Sequence, residues 1–114
     1  MIVRKYTDIE EKKVEVEGAK GVSIRVLISE EDGAPNFIKR RFSIVPGGHT
    51  PYHSHSWEHE VYILEGSGRV MGPDGPRELQ AGSVVLVLPN EEHNFENTGD
   101  HPLVFLCSIP IVQQ

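Results

Sequence analysis

The sequence predicts an all-β protein of one domain, a sandwich or barrel. Strong turn signals recur about every 8–12 residues, and no helical stripe of useful length lies between them. The intervening segments either alternate apolar and polar residues at period two or run as short apolar stretches, which is the strand signature. The chain has 114 residues. That suits one domain able to bury roughly 60–70% of its unfolded surface.

The elements follow in order. Lys12 to Glu17 alternates charge with valine, and Val22, Ile24, Val26 and Ile28 repeat at period two. Asp32-Gly33-Ala34-Pro35 breaks that strand, Phe37 to Val45 resumes it, and Pro46-Gly47-Gly48 is a strong turn. His53 to Leu64 reads as one or two short strands ending at Gly66-Ser67-Gly68. Arg69-Val70-Met71 and Arg77-Glu78-Leu79 flank Gly72-Pro73-Asp74-Gly75-Pro76, a hairpin by its turn chemistry. Val84 to Leu88 is a continuous apolar run, expected as a buried strand. Pro89 to Glu92 turns, His93 to Asn97 is a short strand, and Leu103 to Ile109 is the last one, closed by Pro110. The division expected is N-terminal strands over 1–33, a barrel core over 34–110 and a short tail over 111–114.

Composition excludes several classes. Eleven Lys and Arg stand against seventeen Asp and Glu, a net charge of -6, which disfavours nucleic acid and anionic membranes as partners. The single cysteine, Cys107, rules out an intrachain disulfide. No apolar run reaches the roughly 18–20 residues of a membrane helix, and the N-terminal residues show no apolar leader segment. A cytoplasmic protein is expected.

Chemistry concentrates in the histidines. Three fall in His53-Ser54-His55-Ser56-Trp57-Glu58-His59. His53 and His55 point to one face of an extended chain, and His59, an even number of residues further, can share it. Imidazole is the commonest protein ligand for divalent transition metals, and three converging imidazoles make a facial site. Without a metal, three imidazoles on one face are a costly polar cluster beside a core. His93 is ambiguous taken alone, but its place at the start of a strand 34 residues after His59 makes it a candidate fourth ligand from the opposite wall. His49 and His101 sit beside Gly or Pro in turns and read as ordinary residues.

Gly47-x5-His53-x-His55-x3-His59-x6-Gly66 resembles the first motif of the cupin superfamily, in which most members place a glutamate where His59 stands. Pro89-Asn90-Glu91-Glu92-His93-x3-Asn97, with Gly82 upstream, resembles the second motif, Pro-x-Gly-x-x-His-x-x-x-Asn, although its glycine is missing. The resemblance covers residues 34 to 110 and implies a double-stranded β-helix, or jelly roll, with a metal in its cavity. His53, His55 and His93 fall on the family's histidine ligands. Glu60 rivals His59 for the fourth place, but the spacing to Gly66 favours His59, and on a regular strand Glu60 faces the other way. The whole string is similar to small manganese-binding four-histidine monocupins of thermophilic bacteria. The resemblance therefore puts Mn first and Fe second, with Zn, Ni or Cu as alternatives that intrinsic affinity would favour. It also implies a homodimer, with the N-terminal segment at the interface.

Four imidazoles leave a metal its full charge and favour an anionic partner. Four ligands in an octahedron leave two positions open, which suits catalysis or ligand binding over a closed structural site. Phe105 and Cys107 share one face of the last strand; if that face points inward, Phe105 walls the pocket and Cys107 sets an oxidisable sulfur near the metal, the other reading of Cys107 being an inert buried residue. Arg40 shares its face with Ile38 and Phe42 and would either project into the cavity to hold an anionic substrate or stand at the outer rim. Trp57 reads as a packing or rim residue, Tyr52 and Tyr62 as structural. Glu58, Glu91 and Glu92 read as solvated turn charges, any of which can accept from a ligand imidazole. The first functional reading is a manganese- or iron-dependent, dioxygenase-like oxidoreductase acting on a small organic substrate. The alternatives are a non-redox isomerase or lyase and a non-catalytic small-ligand module, and the fold alone does not choose among them.

Overall fold

The computed structural model describes residues 1–112. Gln113 and Gln114, the end of the expected tail, lie outside the described residues. Nine strands form one curled sheet: β1 Lys12–Lys13, β2 Lys20–Ile28, β3 Phe37–His49, β4 His59–Glu65, β5 Ser67–Gly72, β6 Gly75–Gln80, β7 Val84–Val87, β8 Asn94–Glu96 and β9 Leu103–Pro110. The order across the sheet is β6-β5-β8-β3-β9-β4-β7, with β2 also on β3 and β1 on β2. All pairings are antiparallel. This is the expected all-β jelly roll.

Registers across β3, β9 and β4 position the site. Phe42 faces Phe105 and Phe105 faces Ile63, so three large apolar side chains lie in one inward row. Phe105 is 2% exposed and its ring lies 5.2 Å from Phe42 and 4.9 Å from Phe95, so it anchors the core. Two residue pairs along, on the same face, Arg40 faces Cys107, which faces Val61. His59 lies two residues from Val61 and so joins the same inward side. Apolar core on one row and polar groups on the next is how one barrel carries both stability and a site.

Three segments depart from the expected pattern. Lys12 to Glu17 forms only the two-residue β1; a turn follows, with the Ala19 amide donating to the Val16 carbonyl. His53 to Glu58 is a loop, and β4 starts only at His59. The Val84–Leu88 run is a strand end of the sheet and is not buried: Val84 is 74%, Leu86 59% and Leu88 53% exposed. Val85 and Val87 alone turn inward, because period two holds even where both faces are apolar. Tyr52 and Tyr62 are likewise half-exposed, so neither is a core residue.

The second motif's glycine has a physical substitute. Counting back from His93, that glycine falls on Asn90, which has φ 66° and is the one non-glycine with positive φ among the described residues. Asparagine tolerates this left-handed conformation better than other side chains. The Asn90 amide then donates to the His55 carbonyl at 2.7 Å, tying the second motif to the first.

Candidate metal centre

Backbone pairing brings the histidines together. His53 and His93 form an isolated antiparallel bridge, each amide donating to the other's carbonyl at 3.1 and 3.0 Å. The ring nitrogens of His53, His55 and His93 include one from each residue all within 4.8 Å of one another. His59 lies beside this set. Its ring centre is 4.2 Å from His55 and 5.3 Å from His93, and its Nε2 lies against His55 Nε2. His49 is half-buried at the end of β3 and His101 is exposed, both outside the cluster. Glu60 points to the outer face, exposed, as the alternation along β4 requires.

The hydrogen bonds orient the rings. His55 Nδ1 lies 2.8 Å from the Trp57 carbonyl, and His93 Nδ1 lies 2.8 Å from the Glu91 carbonyl. A carbonyl only accepts, so each Nδ1 carries the proton and each Nε2 keeps its lone pair. The partners are backbone atoms, so the side chains of Glu58, Glu91 and Glu92 are not the acceptors. The Glu91 carboxylate instead accepts from the Leu88 amide at 3.1 Å. His59 Nδ1 lies 2.9 Å from Cys107 Sγ and 3.4 Å from an Arg40 nitrogen, and Arg40 also donates to Sγ at 3.1 Å. For His59 Nε2 to act as a ligand, its Nδ1 must donate to that sulfur.

Burial and neighbouring charge favour the neutral form of His53, His59 and His93. Burial first, then the charges of His55, Arg40, His93 and His53, lowers His59 to about 3. Burial likewise lowers His93, opposed by its bond to the Glu91 carbonyl, and burial and the neighbouring rings lower His53. Burial raises the Cys107 thiol, against the pull of Arg40. The donor set fits a divalent metal: neutral imidazoles are what such a metal binds. His55 Nε2 and His59 Nε2 approach closely, so with both lone pairs free the two nitrogens would share one divalent cation.

The cluster opens into a cavity of about 310 Å³. Arg40, Phe105 and Cys107 line it with the four histidines. Arg40 is half-buried, with its Cζ 5.0 Å from the Phe42 ring centre and its Nε buried without a partner. Trp57 is a wall: it stacks on His55 at 4.7 Å with ring planes 10° apart. Sequence reasoning missed one set of lining residues. Val14, Val16, Val22 and Ile24, assigned only to N-terminal strands, form a side of this cavity. Alternation of valine and charge was their sole signal, and it says nothing about where that face packs.

The cupin domain family matches residues 40–109 of the chain. An oxalate-binding protein of Thermotoga maritima is 34% identical over 96% of this chain and 93% of its own length. A gentisate 1,2-dioxygenase of Aquipseudomonas alcaligenes is 30% identical over 82% of this chain, but over only 29% of its own length. Among solved structures, the polyketide cyclase RemF from Streptomyces resistomycificus superposes with a TM-score of 0.91 at 36% identity, covering 96% of this chain and 79% of that one.

Proposed function

The chain belongs to the cupin domain family, and from that premise we propose a metal-dependent, dioxygenase-like oxidoreductase acting on a small anionic organic substrate at a four-histidine centre. One observation carries the proposal: His55 and His93 have their Nδ1 protons committed to backbone carbonyls, so their free Nε2 atoms meet His53 and His59 at a cavity wall. Mn is the first choice of metal and Fe the second, with Zn, Ni or Cu behind them. Bound there, a divalent metal would supply Lewis-acid and redox chemistry beside the substrate.

The chain's own residues supply the rest. Arg40 holds the substrate's anionic group, since it is the one formally charged side chain lining the cavity. Phe105 excludes water and fixes the floor. Cys107 holds the orientation of His59 through its sulfur. The relatives' printed names, oxalate-binding protein and gentisate 1,2-dioxygenase, agree with an acidic small molecule. An isomerase or lyase needs a general base besides the ligands, and no carboxylate lines the cavity. We place the protein in the cytoplasm as a homodimer paired through its N-terminal strands. A solution mass near 12.7 kDa by light scattering would remove the dimer.

Metal content by mass spectrometry tests the centre. Near-stoichiometric Mn or Fe, lost in His59→Ala and kept in Glu60→Ala, is the expected result. No metal after loading attempts would remove the centre. Oxygen uptake by the Mn or Fe form over a panel of phenolic and diketone acids tests the reaction, and turnover no faster than free metal would refute it.

A further inference from the structure

The cavity is chemically two-sided. Among its lining residues Arg40 carries the only formal charge, and no Asp or Glu accompanies it. Among the described residues Arg40 makes no ion pair, and its Nε is buried without a hydrogen-bond partner. A half-buried guanidinium without a counter-ion draws an anion. An apolar part of the wall comes from Val14, Val16, Val22 and Ile24 of the N-terminal hairpin, with Ile24 paired to Phe42 on the neighbouring strand, and from Trp57 of the loop before β4. The four aliphatic residues lie outside the 40–109 segment that the family match covers.

Val16 is 55% exposed, and it lies where the chain turns back after β1. Val14 is fixed by its amide, which donates to the Val22 carbonyl at 2.9 Å. The hairpin is therefore a pinned wall with an apolar, partly wet tip. A wholly polar ligand such as oxalate gains nothing from that wall. At ~30 Å³ per water, a cavity of about 310 Å³ equals about ten waters, room for an organic molecule of about that many non-hydrogen atoms.

Resting on the reading of this cavity as the substrate site, we infer that the substrate is an organic monocarboxylate with an apolar body of aromatic size. Its carboxylate pairs with Arg40 and its body packs on Val16 and Trp57, so the N-terminal hairpin is the specificity element. The carboxylate matches the planar guanidinium, and the body removes apolar wall from water.

The test uses Trp57, the single tryptophan, as its own reporter. Its fluorescence is titrated with benzoate, with the neutral isostere benzamide and with oxalate, on metal-stripped protein and again on Zn-loaded protein. Benzoate should bind at least about tenfold tighter than benzamide to the stripped protein, because only the charged form uses Arg40. Val16→Ala should weaken benzoate about three- to tenfold and leave oxalate unchanged. Val16→Trp, at the same exposed position and read by calorimetry because it adds a second indole, should block benzoate and still admit oxalate. Equal binding of benzoate and benzamide, indifference of benzoate to both Val16 variants, or binding of oxalate with none of benzoate would each overturn the inference. The stripped-protein arm needs no metal, so its failure is separate from failure of the metal centre, which metal content alone reports.

Discussion

His55 and His93 on one side and His59 on the other are held by different means. The first two donate Nδ1–H to carbonyls two residues away in their own segments, Trp57 and Glu91. His59 is held by side chains from two other strands, Cys107 on β9 and Arg40 on β3. A backbone carbonyl survives any substitution at its own position, whereas a side-chain acceptor does not. The centre thus has a part built into the local chain and a part that depends on remote residues. In the proposed centre, His59 would then be the ligand whose orientation and basicity the cavity can tune.

The largest expected effect comes from removing a locally held ligand. His93→Ala should weaken metal binding by more than the roughly 10–100-fold that loss of an outer partner costs, as read by competition with a chromogenic chelator. Cys107→Ala tests the other half. It leaves His59 Nδ1 without its sulfur and should weaken metal binding by about 10–100-fold, while Cys107→Ser, which keeps an acceptor, should recover most of that. If Cys107→Ala binds metal as the parent does, the contrast between the two kinds of ligand collapses.

Acid sharpens the same comparison in the metal-free protein. His53, His59 and His93 are all lowered from the ordinary histidine value of 6.5, His59 to about 3. Below pH 6.5 the unfolded chain takes up protons that these folded-state rings refuse. Stability is therefore full above pH 6.5 and falls as the pH drops toward the folded values. The urea midpoint should decline steadily from pH 7 to pH 4.5, and His59→Gln should flatten that decline. A midpoint constant over the range would contradict a neutral, buried cluster.

Much of this was legible in the sequence, and the failures have physical causes. Histidine spacing and the even-odd rule put His59 inward and Glu60 outward on β4, because period two is a property of any strand. The sequence left open whether Arg40 and Cys107 face the cavity, and it did not show them as partners. Their meeting depends on the β3–β9 register, which no local pattern states. The ring-orienting acceptors were sought among glutamates and proved to be main-chain carbonyls, which every residue possesses. Val84 to Leu88 misled because an apolar run means burial on both faces only inside a covered sheet, and β7 ends this one. The valines of the N-terminal hairpin gave no sign of the cavity, since only the tertiary fold carries them there.

The smallest effect concerns the link between the two motifs. Asn90 stands where the family motif has glycine, with φ 66°, and its amide holds the His55 carbonyl. Both His55 and His93, the locally held pair, depend on this turn for their relative placement. Asn90→Gly keeps the conformation accessible and should leave the melting temperature within a degree or two. Asn90→Val must force a β-branched residue into the left-handed region, at about 1–2 kcal/mol. That corresponds to a loss of roughly 4–10 °C in a domain of this size. The strain falls on the turn and leaves the side-chain partners of His59 alone. Metal affinity in Asn90→Val should therefore drop less than in Cys107→Ala. A larger drop would mean that the main-chain link between the motifs, and not the remote sulfur, is the adjustable part of the centre.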